Sequence, residues 1–449
     1  MISHDVRATR IPRSMELYRR ALELIPGGTQ LVSRRPNRVA YGVSPIYAAE
    51  AKGARFRDVD GFEYIDWISG IGAILLGYAD PVVDEAVKEQ IGRGTMYSVN
   101  HELEVELAEE LCRAIPCAEM VRYAKCGGEA CAIAVRIARG ATGRDKVLFC
   151  GYHGWHDWYL AANLDAGAGL NSHLFPGIEP IGVPKALAGT AIPFPHGDLA
   201  ALGELLDANK GTVAAVIMEP LRSEWPAPGY LAGVAALARE HGAVLIFDEV
   251  SAGLRYGPGG AQGRLGVTPD MAVFAKSISN GYPMGVVAGR REVMEPAARM
   301  FISSTYWSDT IGLTAALTTM REARRRDVSP QLEAFGARLK ERLNTIARET
   351  GCPVSCGGIG LHPHLHFDIA DAPLRAQAAT LYIQEMAKRG CHGYASFYLN
   401  AAQGDAELDQ TAAAARETFS LIRDALDSGT LPSRLECDPQ QDAFRRLVK

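Results

Sequence analysis

The sequence predicts an α/β protein whose larger domain is built on a mostly parallel central sheet. Short apolar runs alternate with helix-like stretches, for example AAVIMEP at 214–220, YLAGVAALAREHG at 230–242 and AVLIFDEV at 243–250. This alternation is typical of parallel βα units, in which helices cover both faces of a sheet. The chain has 449 residues, of which 47% are hydrophobic, so it is long enough for two or three domains around a large core.

Three parts are expected along the chain. At 1–70, a helix-like MELYRRALELIPGG and short strands around ARFRDVDGFEYIDW indicate an N-terminal arm and a small sheet. The alternating pattern assigns 71–325 to the large domain. A cluster of charges at 321–331 then precedes the helix-like QLEAFGARLKERLNTIARETG and further strands, which predicts a smaller α+β C-terminal domain at 326–449.

Composition narrows the classes of function. The formal net charge is -5 with both signs dispersed, which gives no electrostatic basis for binding nucleic acid or a membrane surface. No apolar run reaches membrane-spanning length, and the first twenty residues lack the apolar centre of a signal peptide. The nine cysteines have no CxxC spacing, which favours reduced thiols. We therefore expect a cytoplasmic protein that acts on small molecules.

Two apolar runs of the large domain end in charged residues. DMAVFAK carries Lys276 at its end, and AVLIFD ends in Asp248. In open α/β sheets, ligands bind at the carboxyl ends of the strands. Taken singly, each residue is more simply explained by a structural ion pair or a solvated strand end, because buried charges are costly without compensation. Together they meet the needs of pyridoxal phosphate (PLP), which takes an amine for its Schiff base and a carboxylate for its protonated pyridine nitrogen.

A glycine pair is the candidate site for the phosphate of that cofactor. Gly127 and Gly128 precede an apolar helix pattern that begins at Ala130. Exposed amides at a helix N-terminus bind anions, although such a turn is also a common plain connection. Tyr152 and His153 follow another strand-like run, KVLFC, and the ring of Tyr152 could cover the ring of the cofactor.

An ordered set of motifs resembles the class III (fold type I) PLP-dependent aminotransferases, and most closely their glutamate-1-semialdehyde aminomutase-like branch. The motifs span most of the chain and include IPGG, DVDGFEYIDW, GGEA, GRDKVLFCGYHG, IMEP, DEVSAGLRYGPGGAQ, GVTPDMAVFAKSISNGYPMG and STYWSD. The resemblance implies the fold of this family, with a large domain around a mostly parallel sheet and a smaller α+β C-terminal domain. It also implies PLP as the cofactor.

The resemblance implies roles for individual residues. Lys276 would form the Schiff base and Asp248 would pair with the pyridine nitrogen, and both would be catalytic. Thr305 in STYWSD matches a threonine that reaches the phosphate of the neighbouring subunit, which implies a homodimer with shared active sites. The other residues implied to bind the cofactor are Gly127, Gly128, Tyr152, His153, Glu219, Glu224 and Val250, with Tyr152 and Val250 on opposite faces of the ring.

The implied activity is transfer of an amino group from an amino acid or amine donor to a keto or aldehyde acceptor. The mechanism would be ping-pong, with the freed Lys276 amine removing the α-proton as general base. Two alternatives stay open. An intramolecular aminomutase of the glutamate-1-semialdehyde type uses the same residues and retains its intermediate. A catalytically silent PLP-fold binding protein is the other, and the intact Lys276 and Asp248 speak against it.

Departures from the branch bear on the substrate. The phosphate loop usually reads Ser-Gly-Thr or Ser-Gly-Ser, whereas Cys126-Gly127-Gly128 lacks a hydroxyl, so backbone amides must contribute more to binding. Glu224 stands where the aminomutase has an asparagine, and Ala395 falls where it has a glutamate. These differences favour a transaminase over the aminomutase itself.

Arg34 is the candidate substrate-binding residue. It falls six residues after Gly28, at the position of an arginine that binds the substrate carboxylate in this branch. Because Arg35 and Arg38 lie nearby, a solvated basic loop is the simpler explanation for the cluster as a whole. The resemblance therefore implies the binding role for Arg34 alone.

Two groups of histidines are candidate metal ligands. His153 and His156, in HGWHD, are accounted for by the cofactor. His362, His364 and His366 alternate, so all three would share one face of a strand, where packing or lining of a pocket is commoner than metal binding. We therefore predict no metal site.

Overall fold

The computed structural model describes residues 9–164, 178–221 and 223–440. The described chain divides into two compact units. One unit comprises 9–71, Leu76–Asp80 and 330–440, and the other, which we call the central unit, comprises Gly72–Leu75 and Pro81–Ser329.

The three-part division expected from the sequence stays a prediction. Its boundary at 325 lies close to Ser329, where the central unit ends. The N-terminal part at 1–70 clusters with the C-terminal part in one unit. The outer ends of the expected terminal parts, 1–8 and 441–449, lie outside the described residues.

Strands and helices are numbered in chain order. Strands β1 to β13 are Ala48–Lys52, Arg55–Asp58, Glu63–Asp66, Met120–Ala124, Lys146–Cys150, Ala191–Pro193, Val213–Met218, Val244–Asp248, Met271–Phe274, Gly285–Gly289, Val354–Gly357, His364–Phe367 and Cys391–His392. Helices α1 to α15 are Pro12–Leu24, Ser69–Gly72, Pro81–Arg93, Glu102–Ala114, Gly127–Thr142, Asp157–Leu160, Leu199–Ala208, Tyr230–Glu240, Gly260–Leu265, Arg291–Met294, Thr310–Arg325, Val328–Thr350, Ala372–Lys388, Asp405–Asp427 and Leu431–Arg434.

A seven-stranded sheet forms the core of the central unit, in the order β4-β10-β9-β8-β7-β5-β6. Strands β9, β8, β7, β5 and β6 are parallel, and β10 runs antiparallel to both of its neighbours. Every residue of β7, β8, β9 and β10 is buried. Strands buried on both faces are apolar along their whole length, which explains the continuous hydrophobic runs of the sequence. The predicted fold class, an α/β protein with a mostly parallel sheet, is confirmed.

The sheet brings several loops to one edge. Parallel strands end on the same side, so the segments that follow β5, β7, β8 and β9 emerge together. Strand β4 also ends on this side, because β4 and β9 are both antiparallel to β10. The residues at or just after these strand ends are Gly127 and Gly128 after β4, Tyr152 and His153 after β5, Glu219 after β7, Asp248 at the end of β8, and Lys276 after β9.

The other unit contains a smaller sheet whose strands come from distant parts of the chain. Strands β1, β2 and β3 form an antiparallel meander, and β13 joins β3 in parallel. The Ile65 amide donates to the Gly390 carbonyl at 2.8 Å, and the Trp67 amide donates to the His392 carbonyl at 2.9 Å. These bonds tie the N-terminal meander to the C-terminal segment. Within the described ranges, no helix combines the length and the apolar character needed to cross a bilayer.

Candidate active site

Lys276 stands immediately beyond β9, at the start of a short 3₁₀ helix, Lys276–Ser279. Its φ of 51° lies in the left-handed region, which is uncommon for a residue with a side chain and costs roughly 1–3 kcal/mol. Its Nζ donates a hydrogen bond to Ser251 Oγ at 2.8 Å. The amine is therefore held by a strained backbone and a hydroxyl acceptor.

Asp248 ends β8 and is 3% exposed. Three donors surround its carboxylate: His153 Nδ1 lies 2.7 Å from Oδ2, the Cys131 thiol lies 3.4 Å from the same oxygen, and the Val250 amide donates to Oδ1 at 3.0 Å. Hydrogen bonds of this kind offset the cost of burying a carboxylate away from water.

The imidazole of His153 is held between aromatic rings and is 1% exposed. It stacks on Trp158 with ring centroids 6.3 Å apart, and it meets Phe149 edge to face at 6.2 Å. A carboxylate can only accept, so Nδ1 carries the hydrogen toward Asp248. Within the described part of the chain, Nε2 is buried without a hydrogen-bond partner.

Helix α5 begins at the glycine pair. Its N-cap residue, Cys126, makes no side-chain cap, so the cap side chain leaves the first amides of the helix available for an anion. A Cβ on Gly127 would lie 2.8 Å and 2.9 Å from the two methyl carbons of Val250. A Cβ on Gly128 would lie 3.3 Å from His156 Nδ1. Both glycines therefore permit close approach of the loops that line this end of the sheet.

A second amine lies next to the glycine pair. Lys125 forms an ion pair with Asp309, the residue that caps the N-terminus of α11. Burial lowers the pKa of Lys125 to about 8, and the nearby Glu129 opposes that shift. Lys125 is thus a second candidate, beside Lys276, for the amine that reacts with an aldehyde in this region.

Tyr152 and Glu219 lie together at the ends of β5 and β7. The Tyr152 amide donates to Glu219 Oε2 at 3.3 Å, and Glu219 is 4% exposed. Gly151 has a φ of 123°, and a Cβ there would lie 2.9 Å from the same carboxylate oxygen. Burial raises the pKa of the Tyr152 phenol, which stays neutral at physiological pH.

The described contacts join four of the predicted residues of the central unit. Gly127 closely approaches Val250, and hydrogen bonds join Val250 to Asp248 and Asp248 to His153. Glu224 and Thr305 are exposed, and no described hydrogen bond joins either of them to Asp248 or Lys276. The charge of Glu224 acts instead on His196, where it opposes the lowering of the pKa that burial causes.

Arg34 belongs to the other unit. It ends a short 3₁₀ helix, Val32–Arg34, and is exposed. The preceding carbonyl, of Ser33, accepts a hydrogen bond from the Tyr394 hydroxyl. Burial raises the pKa of Tyr78 in the same unit, and the positive charge of Arg34 opposes that shift.

The three histidines at 362–366 do not all lie on one strand, contrary to the prediction from the sequence. Strand β12 begins at His364, so the prediction that all three share one strand face is wrong for His362. His362 stacks on Tyr398 with ring centroids 4.3 Å apart, and His364 meets His366 edge to face at 4.3 Å. Among the described residues, the group with metal-ligand spacing is Cys131, His153 and Asp248.

The chain matches the model of the class III aminotransferase family over residues 38–368. It belongs to the class III aminotransferases. The match spans the central sheet and every predicted cofactor residue from Gly127 to Thr305. The predicted family and enzyme class are thereby confirmed.

Individual relatives of this class III aminotransferase are similar over nearly their whole length. The 3-aminobutyryl-CoA aminotransferase of Cloacimonas acidaminovorans is 33% identical, covering 93% of this chain and 99% of the relative. A glutamate-1-semialdehyde 2,1-aminomutase of Roseiflexus castenholzii is 36% identical, with the same coverage. The FumI protein of Sphingopyxis sp. MTA144, solved in its PLP internal aldimine form, superposes with a TM-score of 0.83 at 25% identity, covering 93% of this chain and 98% of that one.

The residues of this aminotransferase fit PLP, and the predicted cofactor is confirmed with the family. The fit has three parts: an amine beyond β9 at Lys276, a buried carboxylate at Asp248, and a glycine cradle at the start of α5. An aldehyde, a pyridine nitrogen and a phosphate are the groups that these three features suit.

Two contacts in this site were missed from the sequence. Ser251 follows Asp248 by three residues, and only the fold of that loop brings its hydroxyl to Lys276. Cys131 could have been noticed, because it falls on the buried face of an apolar helix one turn beyond Gly127. Its contact with Asp248 depends on how α5 packs against the sheet, which periodicity does not give.

Gly127→Ala should weaken binding of the cofactor. The added methyl group would overlap the Val250 side chain, and overpacking of this kind costs about 1–3 kcal/mol, which corresponds to roughly ten-fold in affinity. The measurement is the PLP dissociation constant of the apoenzyme, followed by absorbance. Gly92→Ala in α3 is the control, because a Cβ there meets nothing within 4 Å. An unchanged dissociation constant in Gly127→Ala would mean that Val250 and α5 separate without cost.

Proposed function

We propose that this class III aminotransferase moves an amino group between two separate molecules, with Lys276 and Asp248 as its catalytic residues. One observation carries the proposal: the two residues follow neighbouring parallel strands, where Asp248 lies opposite Val273 in the register of β8 and β9. The intervening Ser251, three residues from Asp248, contacts the lysine amine. An amine and a carboxylate are thus presented at the same edge of one sheet.

Lys276 acts on the substrate's proton. When bound, PLP supplies an aldehyde for a carbon–nitrogen bond and a ring that takes up the negative charge of the substrate's α-carbon. Lys276 would hold the cofactor through its Nζ when no substrate is bound. The free Nζ then removes the α-proton of the donor as general base, and in the second half-reaction it returns a proton to the acceptor. Ser251 keeps the released amine in place, because its hydroxyl accepts from Nζ at 2.8 Å.

Asp248 acts on the opposite end of the cofactor. Its buried carboxylate pairs with the ring nitrogen and keeps it protonated, which strengthens the ring as an acceptor of charge. His153 and Val250 orient the carboxylate through their hydrogen bonds. Val250 and Tyr152 would cover the two faces of the ring, and Glu219 holds the Tyr152 backbone through its amide.

The remaining predicted residues surround this centre. The amides of Gly127 and Gly128 bind the phosphate at the start of α5, where the helix dipole favours an anion. Glu224 would interact with the cofactor's phenolic oxygen. Thr305 reaches the phosphate of a second subunit, so the active unit is a homodimer with shared sites. The exposure of Thr305 is compatible with this role. A cytoplasmic location stays a prediction of the sequence.

An aminomutase is the second candidate. It is favoured by the 36% identity to a glutamate-1-semialdehyde 2,1-aminomutase and by the shared set of catalytic residues. Ala395 and Glu224 speak against it, because the resemblance places a glutamate and an asparagine at these positions in the aminomutase. We therefore favour transfer between molecules.

Borohydride reduction of the protein incubated with PLP should fix the cofactor covalently on Lys276. The competing site is Lys125, whose pKa near 8 leaves more free amine at neutral pH than an ordinary lysine has. Peptide mapping by mass spectrometry locates the label. Lys276→Ala should lose the label, and Lys125→Ala should keep it. A label on Lys125 in the unmodified protein would remove Lys276 from its proposed role.

Nitrogen from an amino donor should appear in an added keto acid. With a ¹⁵N-labelled donor and an unlabelled acceptor, transfer between molecules puts the label in the new amino acid, which nuclear magnetic resonance detects. A mutase keeps the label within the original carbon skeleton. Retention of the label in one molecule, without exchange into any of a panel of keto acids, would establish the second candidate in place of the first.

Arg34→Lys should impair substrates that carry a carboxylate. Lysine provides a point charge in place of the planar guanidinium fork, so a paired hydrogen bond to the carboxylate is lost. The expected loss in kcat/KM is about 1.5–3 kcal/mol for carboxylated donors and much less for simple amines. Arg35→Lys, at the neighbouring exposed arginine, is the matched control. Equal losses for both classes of donor would make Arg34 a structural residue.

A further inference from the structure

Cys131 contacts the centre of the site without a role in the proposed mechanism. It lies in the second turn of α5 and is 1% exposed. Its sulfur lies 3.4 Å from Asp248 Oδ2, the oxygen that His153 Nδ1 also approaches at 2.7 Å. The ligand atoms of these three residues lie within 4.8 Å of one another.

The thiol of Cys131 is a hydrogen-bond donor. Burial raises the pKa of this thiol well above its usual value, and the neighbouring charge of Asp248 raises it further. The group therefore stays protonated at physiological pH. Since an ionised carboxylate can only accept, the S–H points its hydrogen at Oδ2.

The hydrogen-bond donors are divided unequally between the two carboxylate oxygens of Asp248. A carboxylate offers about four acceptor positions, two on each oxygen. His153 and Cys131 take the two positions of Oδ2, and the Val250 amide takes one position of Oδ1. One acceptor position on Oδ1 is left by these three contacts. Two donors on Oδ2 also resist rotation of the carboxylate about its Cβ–Cγ bond.

We propose that Cys131 is a positioning residue for Asp248, whose thiol completes the coordination of Oδ2 so that Oδ1 presents its remaining acceptor position to the ring nitrogen of the cofactor. The inference deepens the proposed function and rests on the assignment of Asp248 as partner of that nitrogen. Helix α5 then acts on both ends of the cofactor. Its first amides bind the phosphate, and one turn later its thiol sets the carboxylate.

Cysteine, histidine and aspartate are also ligand types for zinc. Zinc requires the thiolate, whereas this thiol is buried beside a negative charge that opposes loss of its proton. A metal would also consume the acceptor positions that orient the carboxylate. The hydrogen-bonded thiol is therefore the arrangement that the site favours, and zinc becomes an outcome of the test.

The hydrogen bond is tested first in the folded apoenzyme, where activity plays no part. The infrared difference spectrum between the unmodified protein and Cys131→Ala isolates the S–H stretching band of this one thiol. The band should lie at the low frequency of a thiol bonded to a charged acceptor, and Asp248→Asn should move it upward. Cys117 is the matched control, since it is equally buried and its thiol faces the Ala288 carbonyl at 3.9 Å. Its band should not respond to Asp248→Asn. If the frequency of the Cys131 S–H band is the same in Asp248→Asn as in the unmodified protein, the proposal is overturned.

The consequence for catalysis is tested in the holoenzyme. Cys131→Ala should lower kcat by about five-fold with the KM of the donor unchanged, since one hydrogen bond to the carboxylate is lost. Cys131→Ser retains a donor and should restore most of kcat, whereas Cys117→Ala should leave it unaltered. Normal kcat in Cys131→Ala, or a serine variant as slow as the alanine variant, would contradict the positioning role. Stoichiometric binding of Zn²⁺ by the apoenzyme would also contradict the positioning role, if Cys131→Ala abolished that binding.

Asp248→Asn separates failure of this inference from failure of the proposed function. Normal turnover in Asp248→Asn would remove the carboxylate from the mechanism and the proposed function with it. Turnover lost in Asp248→Asn but normal in Cys131→Ala would leave the proposed function standing and refute the role of Cys131 alone.

Discussion

The parallel pairing of β5, β7, β8 and β9 is the constraint on which the rest of the site depends. Parallel strands cannot be joined by tight turns, so β5, β7 and β8 are each followed by a long return connection before the next strand of the sheet begins. The residues at or just beyond the ends of the four strands lie at one edge of the sheet, and they include Tyr152, Glu219, Asp248 and Lys276. Residues more than a hundred positions apart in sequence thus lie at the same sheet edge because of the strand pairing, and this placement requires no direct contact between them.

Burial sets the electrostatic character of this edge. The Asp248 carboxylate is almost completely removed from water, and it is hydrogen-bonded to an imidazole, a thiol and a backbone amide. The neighbouring Glu249 is buried as well. It is fully buried against α9, where it accepts from Ala261 and Gln262, and burial raises its pKa to about 7.

The fold class and the principal site residues could be predicted because they follow from local patterns. Lys276 and Asp248 each adjoin an apolar run, and a run of that length identifies a buried strand end without knowledge of the rest of the chain. Cys131 and Ser251 could not be predicted in the same way. Their contacts depend on the rotation of a helix and the path of a loop, which are fixed by packing and not by residue type. The pairing of β13 with β3 was likewise inaccessible, because a two-residue strand carries almost no sequence signal.

That pairing has a consequence for synthesis on the ribosome. The meander of β1, β2 and β3 emerges early, yet its last partner strand, Cys391–His392, is translated more than three hundred residues later. The central unit is almost contiguous in sequence, from Pro81 to Ser329, so all of its strands are available well before that partner exists. Domains generally fold as units during translation. The central unit can therefore fold first, and the meander, although translated before it, completes its sheet later.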